Sequence, residues 1–167
     1  MFRQKDIDDK NVSMDKTDFR ILAELQADGT LSSQSLAEKV GLSTSPCWRR
    51  VRKMEEDRVI STTVAILDPE KIGLDVIALA LISLEDRHPA ALREFDEMVA
   101  NRPEILECYA LSGKHDYQLK VACSSLKAYE ALLREHIRPC RAVDQVETSF
   151  VLRSEKDTTA LPLPQFD

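Results

Sequence analysis

The chain has 167 residues, enough for one ordinary domain or two small ones, and 43% of them are hydrophobic, so a packed core is within reach. With 23 Lys plus Arg against 29 Asp plus Glu, the formal net charge of −6 excludes a polybasic, histone-like chain. The longest nearly unbroken apolar run, Val76 to Leu84, falls far short of the roughly 18 residues a membrane-spanning helix needs. Residues 1–13 carry Arg3, Lys5, Asp6, Asp8, Asp9 and Lys10 without the apolar stretch of a signal peptide, so a cytoplasmic protein is expected. The same composition predicts a disordered tail over 1–13, with Met14 an alternative translation start. Cys47, Cys108, Cys123 and Cys140 form no C-x-x-C pair, and the expectation is free, mostly buried thiols.

Three helical segments follow, over 14–60. Asp15 is a suitable N-cap for a helix carrying Phe19, Ile21, Leu22 and Leu25 at helical spacing, and Asp28-Gly29 ends it. Ser32 or Ser33 caps a short second segment in which Leu36, Ala37 and Val40 share a face, with Gly41 as its stop. Ser43 caps a third, where Pro46 is tolerated because first-turn amides have no intrahelical partner. There Cys47, Val51 and Met54 make the core stripe and leave Arg49, Arg50, Arg52 and Lys53 for the surface.

Charge divides unevenly along the chain. Acids and bases balance over residues 1–66, so the whole of the −6 lies in 67–167. Within the balanced part, Thr30 to Met54 sets Lys39, Arg49, Arg50, Arg52 and Lys53 against the single acid Glu38. A local basic patch in an acidic protein is the electrostatic footprint of nucleic-acid binding. Two short helices about a turn at Gly41, the second polar and basic in its N-terminal half, have the organisation of a helix-turn-helix, whose second helix enters the major groove. Arg grips guanine bidentately, and Ser or Thr reaches phosphates or bases. The candidate DNA-contacting residues are Ser43, Thr44, Ser45, Trp48, Arg49, Arg50, Arg52 and Lys53, with Trp48 equally suited to packing against the first helix.

The remainder changes period. Thr62 to Leu67 is β-prone and, with Asp68, Pro69 and Gly73, forms a linker strand and connector over 61–74. Val76 to Leu84 suits a central strand, and Pro89 to Asn101 carries a helical stripe of Leu92, Phe95, Met98 and Val99. Ile105 to Leu111 and Tyr117 to Cys123 read as an antiparallel hairpin around Gly113. Leu126, Tyr129, Leu132, Leu133 and Ile137 form a second stripe stopped by Pro139, and Val143 to Leu152 alternates as a fourth strand. The order β, α, β, β, α, β is the ferredoxin-like split βαβ arrangement, here over 75–157 with a tail over 158–167. The fold class is therefore α+β, and such a superfold names no function by itself.

Asp15-Lys-Thr-Asp18-Phe-Arg-Ile21-Leu22, Leu36-Ala37, Val40-Gly-Leu-Ser43, Ser45-Pro46-Cys47, Arg49-Arg50-Val51, Met54-Glu55 and Val59-Ile60 resemble the DNA-binding domain of the Lrp/AsnC transcriptional regulators. Leu67-Asp-Pro-Glu-Lys-Ile-Gly73 resembles their connector, and Cys108-Tyr-Ala-Leu-Ser112-Gly113 with Asp116-Tyr117 their effector-domain hairpin. The resemblance spans 14–164. It implies a homodimer assembling to tetramers, octamers or larger rings, whose binding to double-stranded DNA changes when a small amino acid occupies the effector domain. It carries Tyr109, Ser112, Gly113, Asp116 and Tyr117 into the effector site, where Gly113 admits close backbone approach and Asp116 receives an α-ammonium group. The chain departs from the commonest pattern at Lys114, where an acid is usual. His115 beside Asp116 is expected to be an exposed loop residue, and Gly113 to Asp116 equally fits a plain hairpin turn.

No nucleophile-elbow, Walker or His-Glu-x-x-His motif occurs, and His88, His115 and His136 are scattered. Neither an enzyme nor a metal site is expected, and no cofactor beyond an amino-acid effector. Two other readings stay open: an effector-independent architectural DNA-binding protein, and a metabolite-sensing regulator that binds no DNA.

Overall fold

The computed structural model describes residues 13–164. The expectation for the first thirteen residues therefore lies, except for Ser13, outside the described residues. The chain forms two compact units. One comprises 67–155; in the other, the residues up to 66 are joined by the returning segment from 156 onward.

In the helical unit, α1 spans Lys16–Ala27, α2 Ser33–Val40 and α3 Thr44–Glu56. Asp15 and Asp18 form a reciprocal capping box at the start of α1, each side chain accepting the other's backbone N–H at 3.0 and 2.9 Å, which satisfies two otherwise orphaned donors. Ser32 caps α2 through the Ser35 N–H. Gly41 (φ 71°) closes α2 in the left-handed region, with Leu42 N–H donating to Ala37 O and Gly41 N–H to Glu38 O. The end of α3 repeats this Schellman pattern, Val59 N–H to Met54 O and Arg58 N–H to Glu55 O, but with Arg58 (φ 58°) at the left-handed position. Ile21, Leu22, Leu36, Ala37, Val40, Cys47 and Met54 form the buried core.

The linker strand expected over 62–67 does not form within the chain. Residues 61–67 take no regular structure and pair with no strand among the described residues, and Val64, Ile66 and Leu67 are exposed. A strand needs a neighbour to take its backbone donors and acceptors, and none is offered there. Gly29 meets this segment closely: a Cβ at that position would lie 3.1 Å from Thr63 Cγ2. The far C-terminal segment docks on α1 instead of trailing free. The Gln26 side-chain amide donates to Leu161 O and accepts from Leu161 N–H (3.2 and 2.6 Å), and Leu163 packs against the helical core.

In the sheet unit, β1 spans Val76–Leu84, α4 Pro89–Ala100, β2 Ile105–Ala110, β3 Tyr117–Cys123, α5 Leu126–Leu132 and β4 Val143–Phe150. The strand order β2-β3-β1-β4, antiparallel throughout, is the ferredoxin-like order. Alternation along β1 turns Ala78, Ala80, Ile82 and Leu84 toward the core, where they meet Phe95, Leu119, Val121, Tyr129 and Leu132. Helix α5 is shorter than its apolar stripe suggests, because Leu133–Ile137 continue as a π-helical turn. Arg138 N–H reaches back five residues to Leu133 O, and the wider turn buries both Leu132 and Ile137. Strand β4 ends at Phe150 rather than Leu152, which is almost fully exposed. Of the cysteines, Cys47, Cys123 and Cys140 are buried and Cys108 is exposed, all four as free thiols. Among the described residues no helix is long and apolar enough to cross a membrane.

Candidate functional site

Helix α3 presents one buried face and one polar face. Cys47 and Met54 are buried, while Ser43, Thr44, Ser45, Trp48, Arg49, Arg52 and Lys53 are exposed. No acid lies in the first turn, and the Ser43 side chain makes no cap bond, so that hydroxyl and the first-turn amides remain available to an anion. Arg49 forms no ion pair or hydrogen bond among the described residues. Arg52 lies 5.6 Å over the Trp48 ring and 3.8 Å from Glu56, and Lys53 lies 3.8 Å from Asp57. These are long, solvent-exposed pairs of little intrinsic worth, readily exchanged for phosphate. Trp48, 51% exposed, stands on the polar face and outside the helical core.

Arg50 departs from the role expected of it. Its guanidinium points back to α1, 2.7 Å from Asp18 and 2.8 Å from Asp15. The pairing holds the Asp15 carboxyl below its ordinary range, after the larger effect of the Asp18 N–H. Three positively charged side chains, not four, are thus left on the open face of α3.

In the sheet unit the five expected effector residues are spread along the hairpin and over both faces of the sheet. Ser112 and Gly113 are exposed at the hairpin tip, and Asp116 lies partly buried at its base. Tyr109 pairs with Gln118 and Tyr117 with Ala110, so the two tyrosines lie on opposite faces of the sheet. Tyr117 turns to the helix-covered side, its ring 4.8 Å from that of Phe95. Both phenols stay neutral, Tyr109 pushed up chiefly by the Glu107 charge and Tyr117 by burial.

Asp116 is the best-anchored member. Its N–H donates to Ile82 O, its carbonyl accepts from Leu111 N–H, and its Oδ2 accepts the Leu84 N–H at 2.8 Å. Arg87, just beyond β1, lies across the same carboxylate, with Nε and Nη2 at 3.1 and 2.9 Å from Oδ1. The Leu84 amide first, and Arg87 second, hold the Asp116 carboxyl below its ordinary range. His115 is not the exposed loop residue expected. Only 11% of its side chain is exposed, with Nδ1 3.1 Å from Ser83 Oγ and Nε2 3.5 Å from Glu147. The sequence signal that locates Arg87 is topological: antiparallel pairing of β1 with β3 sets the end of one beside the start of the other.

Among the described residues no three His, Cys, Asp or Glu side chains are grouped to hold a metal ion. A cleft of about 730 Å³ runs between α1 and the returning tail, lined by Phe19, Arg20, Ala23 and Leu161 among others.

A three-helix unit with an exposed, polar and basic third helix is joined to a ferredoxin-like unit, the two-part organisation of a helix-turn-helix regulator. Residues 14–61 match a winged helix-turn-helix DNA-binding model, and residues 77–161 match the Lrp/AsnC ligand binding domain. The chain belongs to the Lrp/AsnC family of transcriptional regulators. It is 37% identical over 150 residues to the DNA-binding transcriptional activator DecR of Escherichia coli K12, covering 90% of this chain and 99% of that one. It is 34% identical over 154 residues to the transcriptional regulator AzlB of Bacillus subtilis, covering 92% and 98%. Among solved structures it is similar to the transcriptional regulator NMB0573 of Neisseria meningitidis in complex with L-Met, with TM-score 0.87, 35% identity and coverage of 90% and 97%.

Proposed function

We propose that this protein is a cytoplasmic, non-enzymatic regulator that reads double-stranded DNA through α3 and changes its affinity or assembly when a small amino acid binds the sheet unit. The observation that carries the DNA half is the contrast between Arg49 and Arg50 on one helix: Arg50 is committed to α1, while Arg49 has no partner among the described residues on the face shared with Ser45, Trp48 and Arg52. Ser43, Thr44 and Ser45 at the helix start, with Lys53, supply phosphate contacts that fix orientation, and Arg49 supplies base reading.

One short helix reads too few base pairs for specificity, so two copies engage half-sites on one face of the duplex. The segment 61–67, which pairs with no strand among the described residues and exposes Val64 and Ile66, and the face of the sheet away from α4 and α5 are the surfaces we assign to a homodimer and its larger assemblies. Joining sites in this way raises effective concentration without new contacts. For the effector we assign the hairpin residues Tyr109, Ser112, Gly113 and Asp116, with Tyr117 supporting from the core side. The L-Met complex of the Neisseria regulator makes L-methionine the first ligand to try.

Charge reversal tests the DNA half. Arg49→Glu with Arg52→Glu abolishes binding to the upstream DNA fragment and flattens its salt dependence, while Arg50→Glu acts mainly by loosening the helical unit. Unchanged affinity in the double variant contradicts α3 as the reading helix.

A further inference from the structure

We infer that Trp48 is a base-reading residue: its exposed ring takes the methyl group of a thymine in the major groove, beside the base read by Arg49. This inference rests on the assignment of α3 as the reading helix, and it names the feature of the DNA that the helix's exposed apolar side chain selects.

The large apolar side chains of α3 divide by face. Cys47 and Met54 are buried and Val51 packs half-buried against the helical core, whereas Trp48 is 51% exposed and lies outside that core. Its surroundings are polar or cationic. Thr44 and Arg52 lie one turn before and one turn after it, on the same row of the helix surface, and Ser45 and Arg49 are exposed beside it. No acid occurs between Lys39 and Met54. The Arg52 guanidinium stands 5.6 Å from the ring centroid, a cation–π contact that covers one face of the indole. Stacking orders Arg52 before DNA arrives, so less side-chain entropy is lost when its guanidinium reaches the duplex.

What the ring can read follows from the base edges. In the major groove adenine, guanine and cytosine present hydrogen-bond donors and acceptors, and the thymine methyl group is the one apolar feature. Indole has a single N–H donor and no acceptor, so most of its surface gains only from that methyl. The N-terminal half of a recognition helix is the part that meets base edges. Trp48 stands in that half, next to Arg49.

The test compares two versions of the labelled upstream fragment, one natural and one with uracil in place of every thymine, which removes the methyl groups and keeps base pairing. Full-length wild type is expected to bind the uracil fragment about 4-fold more weakly for each methyl group read, and about 15-fold when both half-sites of a dimer are affected. Trp48→Ala is expected to bind the two fragments alike, which also shows that uracil does not act through the shape of the duplex. Its affinity should keep the wild-type dependence on salt, because the lost contact carries no charge. Trp48→Phe should recover part of the preference, since a smaller ring still meets the methyl group. Both variants should keep the wild-type thermal midpoint, as Trp48 lies outside the core. If wild type binds both fragments alike, or if Trp48→Ala keeps the wild-type preference for thymine, this inference falls and α3 stands as the reading helix. If wild type binds neither fragment at low salt, both fall.

Discussion

Each unit contains an Arg–Asp pair, and the two are built for different ends. In the helical unit Arg50 reaches across from α3 to Asp18 and Asp15 on α1, and Asp18 is only 13% exposed. In the sheet unit the cation is the exposed partner, and the acid it covers is fixed by Leu84. The first pair is a strut between elements; the second is a cover over an anchored carboxylate. The difference follows from what else holds each unit. The helical unit has seven buried core residues among the described ones, and it adds a capping box, an interhelical ion pair and a returning tail. The sheet unit has fourteen buried core residues among the described ones, beneath a four-stranded sheet, so its exposed ion pair adds little to its stability.

The largest effect that separates the units is loss of the sheet core. Phe95→Ala, at a fully buried ring, should cost about 3–5 kcal/mol. Amide exchange should then rise across β1 to β4 and stay low in α1 to α3. Exchange rising together in both would show that the units fold as one body and break the comparison.

Next in size is the contrast between the two arginines. Arg50→Met should destabilise the helical unit by about 1–2 kcal/mol, since it strips the charged partner from Asp18, and Trp48 fluorescence reports that unfolding. Arg87→Gln should change sheet stability by no more than about 0.5 kcal/mol. Equal losses in denaturant titrations would remove the distinction between strut and cover.

Removing residues 156–167 should cost the helical unit about 1 kcal/mol, from the Leu163 packing and the paired Gln26–Leu161 bonds, with the sheet unit unchanged. Hydrogen exchange at α1 checks this. A truncated chain with unaltered α1 protection would mean that the tail contributes nothing there.

The smallest effect is on pH dependence. Because folding lowers the Asp116 pKa from its ordinary 3.8, the unfolded chain binds that proton more tightly. The group's stabilisation is complete above about pH 4 and is lost as pH falls through the depressed folded value. Asp116→Asn should therefore make the sheet unit's acid unfolding curve shallower below about pH 4, with a slightly lower stability than wild type at neutrality and convergence of the two in acid. An unaltered acid limb would show that Asp116 is not a proton-linked anchor.

Much of this architecture is legible in the chain itself, because its signals are local. Val76–Leu84 is a strand over the whole apolar run, and Asp15, Ser32 and Gly41 punctuate helices as their chemistry dictates. What the sequence conceals depends on partners distant along the chain. Thr62 to Leu67 has the composition of a strand and pairs with no strand among the described residues. Arg50 belongs to a basic run, yet two acids on α1 claim it. His115 lies in a turn-like stretch but is covered by side chains from β1 and β4, and Tyr117 is drawn into the core by Phe95. The π-helical turn after α5 is set by which residues must reach the core, beyond what a regular helical stripe conveys.

The most direct test of the account is fluorescence anisotropy of a labelled fragment from the gene's own upstream region, titrated with the full-length protein at two salt concentrations, with and without the twenty amino acids. The account predicts tight binding that weakens steeply with salt, as phosphate contacts require, and that shifts in the presence of one amino acid. Tight binding indifferent to all twenty would contradict the sensing half, and no binding at low salt to that fragment or to other promoters would contradict the assignment of α3.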